Sequence, residues 1–143
     1  MPVNDNNLSF HHIHLISEDP HAAAKWYENI LGAEIVREVV LRDAPQVNLQ
    51  VGGVTLLIRG SRPGEKPTTP TAMTDFDDYS SHNEWGTDHF GFAYNGDLLS
   101  FCEGLRAKGA ELAVEPWEFR PGAWLCYIAA PDGVSIEVVQ RRR

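Results

Sequence analysis

His12, His89 and Glu137 are the side chains whose types could together hold a cation. Two imidazoles supply neutral nitrogen donors and a glutamate supplies charge. Three protein donors leave coordination positions open to water, oxygen or substrate, which separates a catalytic metal from a structural one. None of the three is decisive alone. A lone histidine on a strand is ordinarily satisfied by hydrogen bonds, and a glutamate among apolar strand residues needs only a partner. A metal ion or a salt bridge to a histidine would each satisfy Glu137.

The chain's internal repetition makes these residues a set. Displaced by 77 positions, HIHLISEDPHAAAKWYENILGAEI (residues 12–35) falls without a gap on HFGFAYNGDLLSFCEGLRAKGAEL (residues 89–112). His12 meets His89, Gly32 meets Gly109, Ala33 meets Ala110, Glu34 meets Glu111 and Ile35 meets Leu112. At a displacement of 80, GVTLLI (residues 53–58) falls on GVSIEV (residues 133–138), which sets Leu57 against Glu137. The two histidines are therefore equivalent by an argument that owes nothing to metal binding, and the symmetry breaks at the carboxylate.

Each copy predicts a β-α-β-β-β unit, giving an α+β domain over 1–143. The first unit covers 8–59, a connector covers 60–86, and the second unit covers 87–140. The opening strands are expected at Ser9–Ile16 and His89–Tyr94. Helices follow at Pro20–Leu31 and Asp97–Lys108, with Pro20 in the first turn and Gly32 and Gly109 as C-terminal caps. The remaining strands are expected at Ala33–Leu41, Gln46–Val51 and Val54–Arg59, then at Glu111–Val114, Ala123–Ala129 and Val134–Gln140. Gly52-Gly53 and Asp132-Gly133 suit tight hairpins. Alternation puts Val47, Leu49, Phe90, Phe92, Ile136 and Val138 under the helices. The opposite face receives His12, His14, Gln46, Asn48, Gln50, Thr55, His89, Ser135 and Glu137. The expectation is a mixed, cup-shaped sheet with helices outside and a polar ligand cup inside, in place of a second core.

Composition excludes several function classes. With 20 acidic and 12 basic side chains the net charge is -8, a field that repels nucleic acid. The terminal Arg141-Arg142-Arg143 reads as a solvated tail. Two cysteines do not make a disulfide framework. No basic leader with an apolar run and no membrane-length apolar stretch is visible, so a cytoplasmic protein is expected.

The residues then resemble a known family. HHIHLISEDPHAAAKWYENILGAEIV, GTDHFGFAYNGDLLSFCEGLRAKGAEL and YIAAPDGVSIEVVQ are similar to the first-strand, second-copy and terminal-hairpin signatures of the vicinal-oxygen-chelate superfamily. That group includes glyoxalases, methylmalonyl-CoA epimerases, extradiol dioxygenases, fosfomycin-resistance thiol transferases and bleomycin-binding proteins. The resemblance covers the chain except about residues 60–86. It implies His12, His89 and Glu137 as ligands of one divalent ion, with Fe(II) favoured and Mn(II), Zn(II), Ni(II) or Co(II) as alternatives.

Departures from the pattern narrow the reaction. Glyoxalase-type lyases add a carboxylate where Leu57 stands, and the epimerases use a side-chain amide that Gln46, Asn48 and Gln50 do not securely match. Tyr127, ten residues before Glu137, is similar to the active-site tyrosine of the dioxygenases and fosfomycin-resistance enzymes, and could move a proton. The dioxygenases' upstream histidine is missing from residues 115–120, which weighs against ring cleavage. The resulting expectation is a dioxygenase-like enzyme acting on a small oxygen-bearing molecule. The alternatives are a lyase, isomerase or thiol transferase, and a non-catalytic antibiotic-binding protein.

His14, Gln46, Asn48, Arg59 and Arg120 are candidate substrate contacts. The connector is a candidate lid, with His82 and Trp85 near its end, and its Asp75, Asp77 and Asp78 read as solvated. A homodimer is expected, with a small-molecule substrate and neither nucleic acid nor membrane as partner.

Overall fold

A computed structural model describes residues 6–74 and 85–141. His82, Asp75, Asp77, Asp78, Arg142 and Arg143 lie outside the described residues. The first unit consists of β1 (His12–Ile16), α1 (Pro20–Leu31), β2 (Glu34–Leu41), β3 (Ala44–Val51) and β4 (Val54–Arg59). The second consists of β5 (Phe90–Tyr94), α2 (Leu98–Ala107), β6 (Glu111–Arg120), β7 (Ala123–Ala129) and β8 (Ser135–Gln140). This is the expected duplicated βαβββ architecture of an α+β fold. Each unit forms its own four-stranded mixed sheet, β1-β4-β3-β2 and β5-β8-β7-β6.

Both helices begin and end for local reasons. The Asp19 carboxylate accepts the Ala22 N–H at the start of α1, with Pro20 just inside, where its missing N–H costs nothing. Asp97 caps α2 by accepting the Ser100 N–H and hydroxyl. Gly32 (φ 70) and Gly109 (φ 90) take the left-handed backbone that ends each helix. Helical spacing turns Ala23, Ala24, Tyr27 and Ile30 of α1, and Leu98, Cys102 and Leu105 of α2, into one core. That core includes Val47, Leu49, Leu56, Ile58, Ile128, Ile136 and Val138 from the strands, and so spans both units. Cys102 and Cys126 are buried free thiols within it, 3.6 Å apart.

The hairpin tips tie each unit to the other. Asp132 and Gly133 (φ 63 and 73) turn the chain between β7 and β8, as Gly52 and Gly53 (φ 56 and 79) do between β3 and β4. Asp132 Oδ1 accepts the Glu18 N–H at 2.9 Å, just past the end of β1. Its counterpart tip packs so closely that a Cβ on Gly52 would lie 2.7 Å from the Phe92 ring in β5. These reciprocal contacts join the end of β1 to the β7–β8 turn and β5 to the β3–β4 turn.

Three boundaries differ from the sequence reading by more than one residue, at the start of β1, the end of β6 and the start of β3. β1 begins at His12, not Ser9, because its partner β4 starts at Val54 and offers nothing upstream to pair with. β6 runs past Val114 to Arg120. It is an edge strand, and Pro116 falls where its register already slips, between Val114 and Trp117, so the missing N–H breaks no ladder. The third is the turn between β2 and β3, made by Arg42 and Asp43 at φ 51 and 63 without a glycine.

The inner face of the second unit also departs from expectation. It carries a small second core in which Met73, Val114, Leu125 and Tyr127 are buried beside Ala113, Phe119 and Val139. Met73 belongs to the connector. Its N–H donates to the buried Ser135 hydroxyl at 3.1 Å, so part of the candidate lid is fastened onto the second sheet. Trp85, near the connector's end, is fully exposed. Among the described residues no helix is long and apolar enough to cross a membrane.

Gly133 is required twice, by its positive φ and by its neighbours. A Cβ there would lie 2.8 Å from Thr69 Cγ2 and 3.0 Å from the Pro70 carbonyl oxygen, whereas one on Gly53 would meet open space. Gly53→Ala should cost about 1–2 kcal/mol for left-handed backbone. Gly133→Ala should cost roughly 1–3 kcal/mol more, because the connector must shift. Urea unfolding of the two variants checks this, and equal losses would show that the connector does not press on the turn.

Candidate functional site

The register of the second sheet assembles the chemistry. Gly91 pairs with Glu137 across β5 and β8, and Glu137 pairs with Tyr127 across β8 and β7. These three residues form one row on the inner face. His89 immediately precedes β5 and lies diagonally across from Glu137. Its Nε2 is 3.0 Å from Glu137 Oε2 and 3.5 Å from the Tyr127 hydroxyl. Its Nδ1 is 2.7 Å from Asp88 Oδ2. Gly91 matters by what it lacks, since a Cβ there would press within 3.0–3.2 Å of Glu137.

This arrangement constrains charge. Two carboxylates bracket one imidazole, and a neutral imidazole carries only one N–H. When that proton serves one carboxylate, the ring's lone pair faces the other. A second proton or a metal ion on the ring satisfies both. The 3.0 Å separation of Nε2 and Oε2 is an ordinary hydrogen-bond length and is also compatible with two donors to one ion. Two donors each about 2.1 Å from an ion and roughly at right angles are about 3.0 Å apart.

His12 stands apart from this pair. It is exposed on β1, and its Nδ1 is 2.8 Å from His11 Nδ1. Among the described residues no three His, Cys, Asp or Glu side chains close on one point. His12 and His89 nevertheless share a cavity of about 540 Å³, whose walls include Phe10, His14, Pro70 and Asp88. His89 and Glu137 are thus brought together, with Tyr127 beside them, whereas His12 shares with His89 a cavity that neither Glu137 nor Tyr127 lines.

The candidate substrate contacts divide. His14 lines the shared cavity, and its pKa is lowered, first by burial and then by the nearby Arg59, His12 and Arg62 charges. Gln46 donates its amide to Asn48 Oδ1 at 2.9 Å, and neither lines that cavity. Arg59 is buried and donates to the Gly60 carbonyl and to Glu65 Oε1, both at 2.9 Å. Glu65 also accepts the Arg62 N–H, so this carboxylate folds the first turn of the connector around Arg59. Arg120 ends the outermost strand of the second sheet, with its guanidinium 5.4 Å from the Phe119 ring centre.

Asp88 was missed by sequence reasoning, although an acidic residue directly before a candidate ligand histidine was the available signal. Met73 had no signal, because nothing in a Pro- and Thr-rich connector says which residue returns to a sheet.

The sequence profile of the Glyoxalase/Bleomycin resistance protein/Dioxygenase superfamily matches residues 9–138. A probable lactoylglutathione lyase of Synechocystis sp. is 33% identical over 69 residues, which take in 42% of this chain and 52% of that protein. The chain therefore matches about half the length of that relative. Among solved structures, a glyoxylase/bleomycin resistance protein/dioxygenase domain from Frankia sp. EAN1pec superposes with a TM-score of 0.71 at 18% identity, covering 95% of this chain and 93% of that one. The fosfomycin resistance protein FosX of Listeria monocytogenes, solved with Mn(II) and sulfate, gives a TM-score of 0.61 at 18% identity over 96% and 93% of the two chains. At these identities the structures show a shared fold.

The Arg59–Glu65 pair generates a test. Hydrogen bonds from Arg59, then from the Arg62 backbone, hold the Glu65 pKa below its ordinary 4.5. The stability this confers is complete above pH 4.5 and is lost as pH falls through the lowered folded value. Glu65→Gln should flatten the stability profile below pH 4.5, as read by denaturant midpoints across acid pH. An unchanged acid profile would mean that the Arg59–Glu65 contact contributes nothing to stability.

Proposed function

Because the chain belongs to the glyoxalase/bleomycin resistance protein/dioxygenase superfamily, we propose that it is a metal-dependent enzyme acting on a small oxygen-bearing substrate, with His89, Glu137 and His12 holding one divalent ion. The single observation that carries this reading is the 3.0 Å approach of His89 Nε2 to Glu137 Oε2, with the ring's other nitrogen already committed to Asp88. His12 completes the set by turning from His11 into the shared cavity, or is supplied by a second copy in the homodimer that we also propose.

A divalent ion there supplies Lewis-acid polarisation of a substrate oxygen and, as Fe(II), a redox centre. The protein's own residues do the rest. Glu137 brings negative charge into a half-buried row beside the ion. The Tyr127 hydroxyl, 3.5 Å from His89 Nε2, is placed to give or take a proton at a substrate oxygen bound near that nitrogen. Met73, Val114 and Leu125 surround Tyr127 with apolar surface and exclude water from one side of the site. His14 lines the approach to the cavity.

The donor count supports one reaction class over the others. Leu57 occupies the first-unit position that matches Glu137, paired between His14 and Asn48, and it offers no fourth donor. Three donors favour dioxygenase-like chemistry with Fe(II). The similarity to a lactoylglutathione lyase favours a second reading, a lyase, isomerase or thiol transferase using Mn(II), Zn(II), Ni(II) or Co(II).

Anaerobically purified protein should carry one divalent ion per chain, and both His89→Ala and Glu137→Ala should lose it. Iron directs assays to oxygen uptake on catechol-like substrates, and another metal directs them to the second reading. If wild type binds no metal after reloading with each ion, the proposal is wrong and a non-catalytic small-molecule-binding protein becomes the better reading. Tyr127→Phe should keep its metal and lose about 10²–10⁴-fold in kcat. An unchanged kcat would make Tyr127 a packing residue. Mixing His12→Ala with Glu137→Ala chains should restore activity only if the site spans two copies.

A further inference from the structure

We propose that Asp88 is the positioning residue of the site, fixing His89 as the tautomer that keeps its Nε2 lone pair for the cation; this rests on the metal reading given above. The geometry is specific. Asp88 Oδ2 lies 2.7 Å from Nδ1, closer than Glu137 lies to the opposite nitrogen. The ring is 25% exposed and the Asp88 side chain 30% exposed, so water competes only in part for the contact. A carboxylate accepting Nδ1–H makes the opposite nitrogen a better donor and stops the ring turning about its long axis. Without Asp88, Glu137 would be the one carboxylate among the described residues bonded to the ring. It would draw the proton to Nε2, which is the wrong nitrogen for coordination.

The repeat supports this assignment independently. Displaced by 77 residues, Asp88 falls on His11, and His11 Nδ1 lies 2.8 Å from the Nδ1 of His12. In both copies, therefore, the residue directly before the candidate ligand lies against the same ring atom, Nδ1. The two partners differ in strength. A carboxylate gives a charge-assisted bond, and an imidazole gives a neutral one. His89 is accordingly the pre-set ligand, paired with Glu137 before any ion arrives, and His12 is the one that must move.

Two measurements separate this inference from the metal reading. The first uses metal-free protein carrying both Glu137→Ala and Tyr127→Phe, at alkaline pH where the imidazoles are neutral, so that neither neighbour of Nε2 biases the tautomer and Asp88 remains on Nδ1. Nitrogen-15 spectra should show His89 as Nδ1–H. Adding Asp88→Ala should switch it to Nε2–H, and adding Asp88→Asn, whose side-chain oxygen still accepts, should keep Nδ1–H. Nδ1–H in the alanine variant, or Nε2–H in the asparagine variant, would overturn the proposal. The isosteric asparagine variant keeps the test open if alanine prevents folding. The second measurement is Zn(II) affinity by competition with a chelator. Asp88→Ala in the otherwise wild-type protein should weaken it about 10–100-fold, and an unchanged affinity would overturn the positioning role. Wild type that binds no Zn(II) would sink the metal reading and leave the tautomer result standing on its own.

Discussion

The parallel pairing of β5 with β8 is the constraint on which the site depends. It sets Gly91 opposite Glu137, and so carries Glu137 to within 3.0 Å of the histidine that precedes β5. Side chains alternate along a strand, so a slip of one residue would send Glu137 into the helix-covered core and Ile136 or Val138 onto the inner face. The core forbids that slip. Ile136, Val138, Ile128 and Cys126 are buried under α2 with Leu98, Cys102 and Leu105. Each large side chain is worth about 1.5–3 kcal/mol in that position. The chemistry on one face is thus held in register by hydrophobic burial on the other.

Most of the scaffold was legible in the sequence because it rests on local signals. The bounds of α1 and of β4 and β7 emerged as read, since proline, glycine and Gly-Gly mark their ends with backbone conformations few other residues adopt. The repeat supplied what no local signal could, namely that His12 and His89 are equivalent and Leu57 and Glu137 are not. The legible part ends where tertiary pairing overrides propensity. β6 continues through Pro116 because an edge strand with a slipped register does not need that N–H, and no pattern in residues 115–120 announces an edge. The two-residue turn at Arg42-Asp43 was hidden for the opposite reason, since its positive φ values fall on residue types that seldom take them.

The site was legible in its parts and not in its assembly. Strand alternation put His12, His14, Gln46, Asn48 and Glu137 on the inner face, but a face is wider than a site. Gln46 and Asn48 bond to each other, and Arg59 is engaged by Glu65, so polarity at those positions is partly internal. The expected polar cup also failed to anticipate that Met73 would return from the connector to cover Leu125 and Tyr127. Long-range contacts of this kind depend on where the connector's path leads. That path is fixed by the Ser135 hydroxyl and by the missing side chain of Gly133, and both lie more than fifty residues downstream.

The two copies show how one scaffold is divided between tasks. Matched positions hold His14 and Gly91, Leu57 and Glu137, and His11 and Asp88. In each pair the second copy takes the residue that favours a fixed, charged donor set. A glycine clears room for the glutamate, the glutamate supplies the charge, and the aspartate holds the ring. The first copy takes bulkier or neutral residues and leaves its histidine exposed on an edge strand. A symmetric site with two pre-set halves would hold an ion in a closed shell. On the proposed metal reading, an asymmetric one would keep a firm half for the ion and a yielding half that could adjust as substrate enters, with the openness on one side that catalytic metal sites have.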